Sequence, residues 1–130
     1  MKRIFFALIV LLTTVTFGQN GPNGKYKLIA IQNRTTNTLD STKQEHGLTL
    51  SFETDTTVAF KLSVNGCWGS YLLNKENINL KPGPCTKVCC DTKLAMEFYK
   101  ALGEIDKLRI NKDELILENF TWTLYLYRIE

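Results

Sequence analysis

A chain of 130 residues that is 44% hydrophobic and holds four cysteines has material for one modest core and not for two domains. Sixteen basic residues against thirteen acidic ones give a net charge of +3. With no Lys/Arg cluster, that balance excludes the electrostatic footprint of a nucleic-acid binder.

The chain opens MKRIFFALIVLLTTVTFGQNG. Lys2 and Arg3 precede an apolar run over residues 4–12, and the small residues Thr16 and Gly18 stand before a cut ahead of Gln19. This is the three-part pattern of a secretory signal peptide over residues 1–18. The run is too short for a comfortable bilayer crossing, so no membrane span is expected after cleavage. No cysteine lies near the cut, which gives no basis for a lipid anchor. The expected product is secreted or periplasmic. Losing Lys2 and Arg3 leaves 14 basic residues against 13 acidic.

Residues 19–24, QNGPNG, are turn-formers and read as a flexible lead-in to a single domain over 25–130. KYKLIAIQN predicts a strand, and the polar stretch RTTNTLDSTKQEHG a loop. Leu48, Leu50 and Phe52 alternate with polar residues, as do Val58, Phe60, Leu62 and Val64. Around Asp55–Thr57 the two runs make a hairpin. If the second arm runs on, Asn65, Cys67, Gly69 and Tyr71 share one face and Trp68 joins the face of Phe60 and Val64. Gly66 and Gly69 predict a bulge or a close backbone approach.

Asn74–Asn77 turns the chain into a short strand, Ile78–Leu80, which the Pro-Gly-Pro at 82–84 ends. In DTKLAMEFYKALG, the residues Leu94, Ala95, Phe98, Ala101 and Leu102 form one helical stripe. A helix is predicted at about 92–102, with Asp91 capping its first turn and Gly103 closing its last. Strands follow at 105–111, 114–118 and 121–128; bulky residues on both faces of TWTLYLYRIE mark the last as central. The class is α+β and β-rich: a mostly antiparallel sheet or partly open barrel of about seven to eight strands with one packed helix.

Three of the cysteines fall in PGPCTKVCC. In an oxidising compartment, four cysteines in a small domain predict two disulfides. A metal knuckle would use Cys67, Cys85, Cys89 and Cys90, with His46 as a fifth candidate. Adjacent ligands fit tetrahedral zinc poorly, so no metal is expected. No C-x-x-C starts a helix in a βαβ setting, which removes redox catalysis. His46 is the only histidine and reads as a solvated loop residue; no G-x-S-x-G accompanies it. Asp106, Asp113 and Glu114 read as hairpin polar residues. Glu97 sits at the edge of the helix stripe, either bonded to backbone or Tyr71 or at the surface. Trp68, Tyr71, Trp122, Tyr125 and Tyr127 lie on strands. Core packing is the default for them, and Trp68, Tyr125 and Tyr127, where exposed, form the candidate partner surface.

The ordered set of Tyr26, Asn65-Gly66-Cys67 with Gly69 and Tyr71, Thr86 through Cys90, Glu97, Phe98 and Leu102, then Leu115 and Leu117, resembles the META domain family, HslJ-like. The likeness covers nearly all of residues 25–128. Trp68 stands where the family often has asparagine, and the spacing to G-x-Y is shorter, as in a divergent, cysteine-rich branch. The resemblance implies a single mostly antiparallel domain with a packed helix, an envelope or secreted location, loose links to stress or virulence, and no family-wide catalytic site. It marks Asn65, Gly69, Tyr71 and Glu97 as motif residues and implies a Cys67–Cys90 bond. Such a crosslink is worth roughly 3–4 kcal/mol by loop entropy. Cys85–Cys89 would then need a coiled segment, since α-carbons within about 7 Å are required where an extended step spans about 13 Å. Cys67–Cys85 with Cys89–Cys90, and Cys67–Cys89 with Cys85–Cys90, stay open.

The resulting expectation is an exported, non-enzymatic, monomeric domain without cofactor. It would act in envelope maintenance, stress response or binding of an unidentified protein or envelope partner. The alternatives are a secreted protease inhibitor presenting Lys81–Val88, pinned by Cys85, and a hydrolase using His46.

Overall fold

The computed structural model describes residues 21–41 and 47–130. The expected signal peptide over residues 1–18, the first residues of the expected lead-in and His46 lie outside the described residues. Among those described, nine strands form one antiparallel sheet, with β1 Gly24–Asn33, β2 Thr38–Ser41, β3 Thr49–Phe52, β4 Thr57–Lys61 and β5 Gly66–Asn74. The chain continues through β6 Asn77–Cys85, helix α1 Lys93–Leu102, β7 Lys107–Asn111, β8 Glu114–Glu118 and β9 Trp122–Arg128.

The pairings run in a ring. Order β2-β1-β3-β4-β5-β6-β7-β8-β9 is closed by an additional β1–β9 ladder. β1 manages three neighbours because Gly24–Lys27 pair with β3 and Ala30–Asn33 with β2 along one edge, while β9 occupies the other. The weakest seam is β6–β7, held by the single register pair Asn77↔Lys107.

Period-two alternation sends one side chain in two to the inside. Leu50, Phe52, Val58, Phe60, Tyr71, Ile78, Leu80, Leu115, Leu117, Leu124 and Leu126 are all buried, as the hydrophobic effect requires of an alternating strand in a closed ring. In β1 the phase shifts: Tyr26 and Leu28 are buried, then Ile31, with a bulge between Leu28 and Ala30 and Ile29 left outside. Helix α1 adds Ala95, Phe98, Ala101 and Leu102 to the same core. Phe98 meets Phe60 edge-on, with centroids 6.4 Å apart.

Several expectations change. The polar loop after β1 contains strand β2, whose four residues are all exposed. β6 does not stop at Leu80 but runs to Cys85, since a register shift opposite Cys67–Gly69 accommodates Pro82–Pro84; bulges and edges are where a strand tolerates proline. The strand with Phe60 does not run on into the cysteine segment. The chain reverses between Lys61 and Gly66, with Leu62 N donating to Asn65 O at 2.8 Å. Phe60 pairs with Cys67 and Ala59 with Trp68, so Trp68 shares the outer face of Ala59 rather than that of Phe60. The helix cap is Thr92, whose hydroxyl accepts from Ala95 N at 3.2 Å, and not Asp91. The remaining hairpins, β3/β4 and β7/β8, and the central position of β9 between β8 and β1 are as read from the sequence.

Candidate functional site

The register of β1, β3, β4 and β5 sets one row of outward residues, Lys25, Ser51, Ala59 and Trp68, and beside it a second, Lys27, Thr49, Lys61 and Gly66. Trp68 is 56% exposed, which is unusual for so large an apolar surface on a strand. Its nearest neighbours in the register are small. Gly66 and Ser70 flank it on its own strand and Ala59 faces it across β4. On the β6 side is Gly83, where a Cβ would come within 2.6 Å of the Trp68 carbonyl oxygen. Gly69 is equally constrained, its would-be Cβ lying 2.6 Å from Lys81 O. Gly69 is a close backbone approach that the sequence predicted; Gly66, the other candidate, has nothing within 4 Å of a would-be Cβ, and the approach at Gly83 was not foreseen. The result is a shallow cleft of about 460 Å³ with Thr49, Ser51, Ala59 and Gly66 along it, Trp68 at one side, and Lys25, Lys61, Glu53 and Glu130 at its margins.

Behind Trp68 the wall is crosslinked. Cys67 is buried and disulfide-bonded to Cys85, its register partner on β6, with α-carbons 4.0 Å apart. Cys89 and Cys90, both exposed, pair with each other. The Cys67–Cys90 bond implied by the resemblance is therefore not the one present. Cross-strand pairing already delivers Cys85 to Cys67, whereas Cys90 lies past the end of β6.

The segment after Cys85 is tied down by polar groups. Asn65, 6% exposed, donates through Nδ2 to Val88 O at 2.7 Å and to Asp91 Oδ2 at 2.5 Å. Its Oδ1 accepts from Val88 N and from Thr86 Oγ1, each at 2.8 Å. Asp91 Oδ1 accepts from Ser63 Oγ, Val64 N and Asn65 N at 3.0, 2.8 and 3.2 Å. Burial pushes the Asp91 carboxyl up, but hydrogen bonds from Asn65, Val64 and Ser63 outweigh it and hold the group below its ordinary value. This knot fixes the turn preceding β5, and hence the strand that carries Trp68.

The other predicted residues lie elsewhere. Tyr71 is core; its hydroxyl donates to Thr54 O at 2.7 Å, and burial, then Asp55, push its pKa up. Glu97 faces Asp40 of β2, not Tyr71, and its pKa is raised by burial, then by Asp40, against Lys93. Tyr125 and half-exposed Tyr127 are on β9, four strands from β5 either way round the ring, so they do not share a surface with Trp68. Lys81–Cys85, most of the supposed inhibitor loop, is strand β6. Among the described residues no three His, Cys, Asp or Glu side chains gather as metal ligands, and no helix is long and apolar enough to cross a membrane.

The family model of the META domain matches residues 19–127. The chain belongs to the META domain family. Two solved structures are similar to this chain in fold. A DUF4847-family protein from Bacteroides vulgatus ATCC 8482 is 13% identical with a TM-score of 0.63, over 81% of this chain and 92% of that one. A protein from Burkholderia xenovorans, solved by NMR, is 18% identical with a TM-score of 0.64, over 82% of each chain. No curated protein matches the chain. At these identities the likeness speaks for the fold alone.

Proposed function

We propose that this META domain is an exported, non-enzymatic binding domain, serving cell-envelope maintenance or stress response by holding a partner on the outer face of β3–β4–β5. The observation that carries the reading is Trp68, an exposed indole whose strand neighbours Gly66 and Ser70 and cross-strand partner Ala59 are all small. Exposed aromatics of this kind are the usual anchors of recognition surfaces. Export is supported by the signal-peptide pattern of residues 1–18 and by two disulfides, which persist outside reducing compartments.

Crosslinking and pull-down from the native envelope tests it, comparing wild type with Trp68→Ala and Phe120→Ala. Phe120 is 87% exposed on the β8–β9 turn and controls for general stickiness. Capture lost in the Trp68 variant and kept in the Phe120 variant supports the proposal; equal capture by all three proteins overturns it.

A further inference from the structure

We infer that the Trp68 cleft is a carbohydrate site, taking a short neutral oligosaccharide stacked on the indole. The inference rests on the reading of this face as a binding surface and adds the chemical class of its occupant.

The first argument is the shape around the ring. A pyranose presents a flat face of C–H bonds, which packs on an aromatic plane only if no neighbouring side chain already covers it. Gly66 and Ser70 flank Trp68 on its own strand and Ala59 faces it across β4, and none carries more than two heavy atoms beyond its backbone. At Gly83 and Gly69 the backbones approach too closely for any larger residue.

The second argument is the polar complement. Sugar hydroxyls donate and accept at once, so their site needs both kinds of partner. The cleft supplies donors at Lys25 and Lys61, acceptors at Glu53 and Glu130, and hydroxyls of both kinds at Thr49 and Ser51. Two positive and two negative side chains cancel. An anionic ligand meets Glu53 and Glu130, a cationic one meets Lys25 and Lys61, and the neutral polyhydroxyl chain is the occupant without a charge conflict.

The third argument separates sugar from protein. Protein hot spots are clusters of anchors in a desolvated patch. Here a single aromatic stands among small and polar residues, and the other bulky side chains touching the cleft, Phe60 and Cys67, are buried. A volume of about 460 Å³ lies within the range of small-molecule sites.

Calorimetric titration of the oxidised protein with defined neutral oligosaccharides tests the assignment. The panel is β-linked glucose oligomers, N-acetylglucosamine oligomers and α-linked mannose oligomers. Indole fluorescence is read in parallel, since Trp68 is exposed and Trp122 buried. At least one series is expected to bind at micromolar to millimolar concentration. Trp68→Ala and Ala59→Lys, which removes or covers the platform, should weaken it by at least about tenfold. Trp68→Tyr should retain most of the affinity, and unchanged thermal melts should show that all three variants are folded.

Absence of heat and fluorescence change for every series at millimolar concentration overturns the carbohydrate assignment, as does binding indifferent to Trp68→Ala. If Trp68-dependent capture from the envelope persists while every oligosaccharide fails, the sugar reading falls and the binding reading stands. If both fail, both fall.

Discussion

Asn65 and Asp91, 26 residues apart in sequence, bond side chain to side chain at 2.5 Å. Around that contact Asn65 satisfies Val88 on both its backbone groups, and Asp91 caps the turn at Ser63–Asn65. Because the chain reverses there, the pair decides where β5 begins and which of its residues face inward. Asn65→Ala leaves Val88 N and Thr86 Oγ1 short of an acceptor, and is expected to cost about 2–4 kcal/mol in urea unfolding.

Asp91 adds a pH signature to the same knot. Its folded pKa is lowered, so its contribution is present above the unfolded value and lost as pH falls through the folded one. Asp91→Asn should flatten the wild type's acid loss of stability. An acid limb unchanged by Asp91→Asn would show that the carboxylate does not stabilise the turn.

The two disulfides differ in what they constrain. Cys67–Cys85 closes a separation of 18 residues, for which loop entropy gives about 3 kcal/mol. Cys89–Cys90 closes almost no loop, so replacing both by serine should cost about 1 kcal/mol or less. The pairing is checked by trypsin digestion without reduction. Cleavage after Lys61, Lys75, Lys87 and Lys93 puts Cys67, Cys85 and the Cys89-Cys90 dipeptide on three separate peptides. The structure requires the first two linked and the third free; any bond from Cys67 to Cys89 or Cys90 would appear as a different conjugate.

Gly69 tests the close packing of β5 on β6. A methyl at this position would lie 2.6 Å from Lys81 O and 3.2 Å from Val58 Cγ2, and the first obstacle is backbone, which yields only by parting the strands. Gly69→Ala is expected to destabilise by about 1–3 kcal/mol. Gly66→Ala, with nothing within 4 Å, should cost much less. Equal costs at the two positions would argue against this register.

Much of the ring was legible because burial writes itself into alternation: Leu50 and Phe52, Val58 and Phe60, Leu124 and Leu126 all point where period two sends them. The helix was legible from the stripe of Ala95, Phe98, Ala101 and Leu102. β2 left no such trace, since Thr38–Ser41 bury nothing and are recruited by hydrogen bonds along the edge of β1. The phase of β5 was illegible for another reason. It is reset at Asn65 by contacts to Asp91 and Val88, which no local pattern encodes. That reset moved Trp68 from a supposed core face to the outside, so the candidate site depends on the one feature that neighbouring residues could not reveal.

Glu97 supplies the opposite pH dependence to Asp91. It faces and hydrogen-bonds Asp40 across the α1–β2 contact, and burial, then the neighbouring carboxylate, raise its pKa while Lys93 lowers it. A group that holds its proton more tightly when folded gives a contribution fully present below the unfolded pKa, which is lost as pH rises through the folded pKa. At neutral pH the ionised Glu97 beside Asp40 is therefore a net cost. Solvent reaches this partly exposed pair, and screening keeps the effect below about 1 kcal/mol. Glu97→Gln retains a hydrogen-bond donor without the charge, and should be modestly more stable than wild type at neutral pH. The gap should close as pH falls below the unfolded value, where Glu97 is protonated in both states. Chemical denaturation of the two proteins from acidic to neutral pH measures this directly. A constant gap at every pH would mean that packing, and not the Asp40–Glu97 repulsion, separates them.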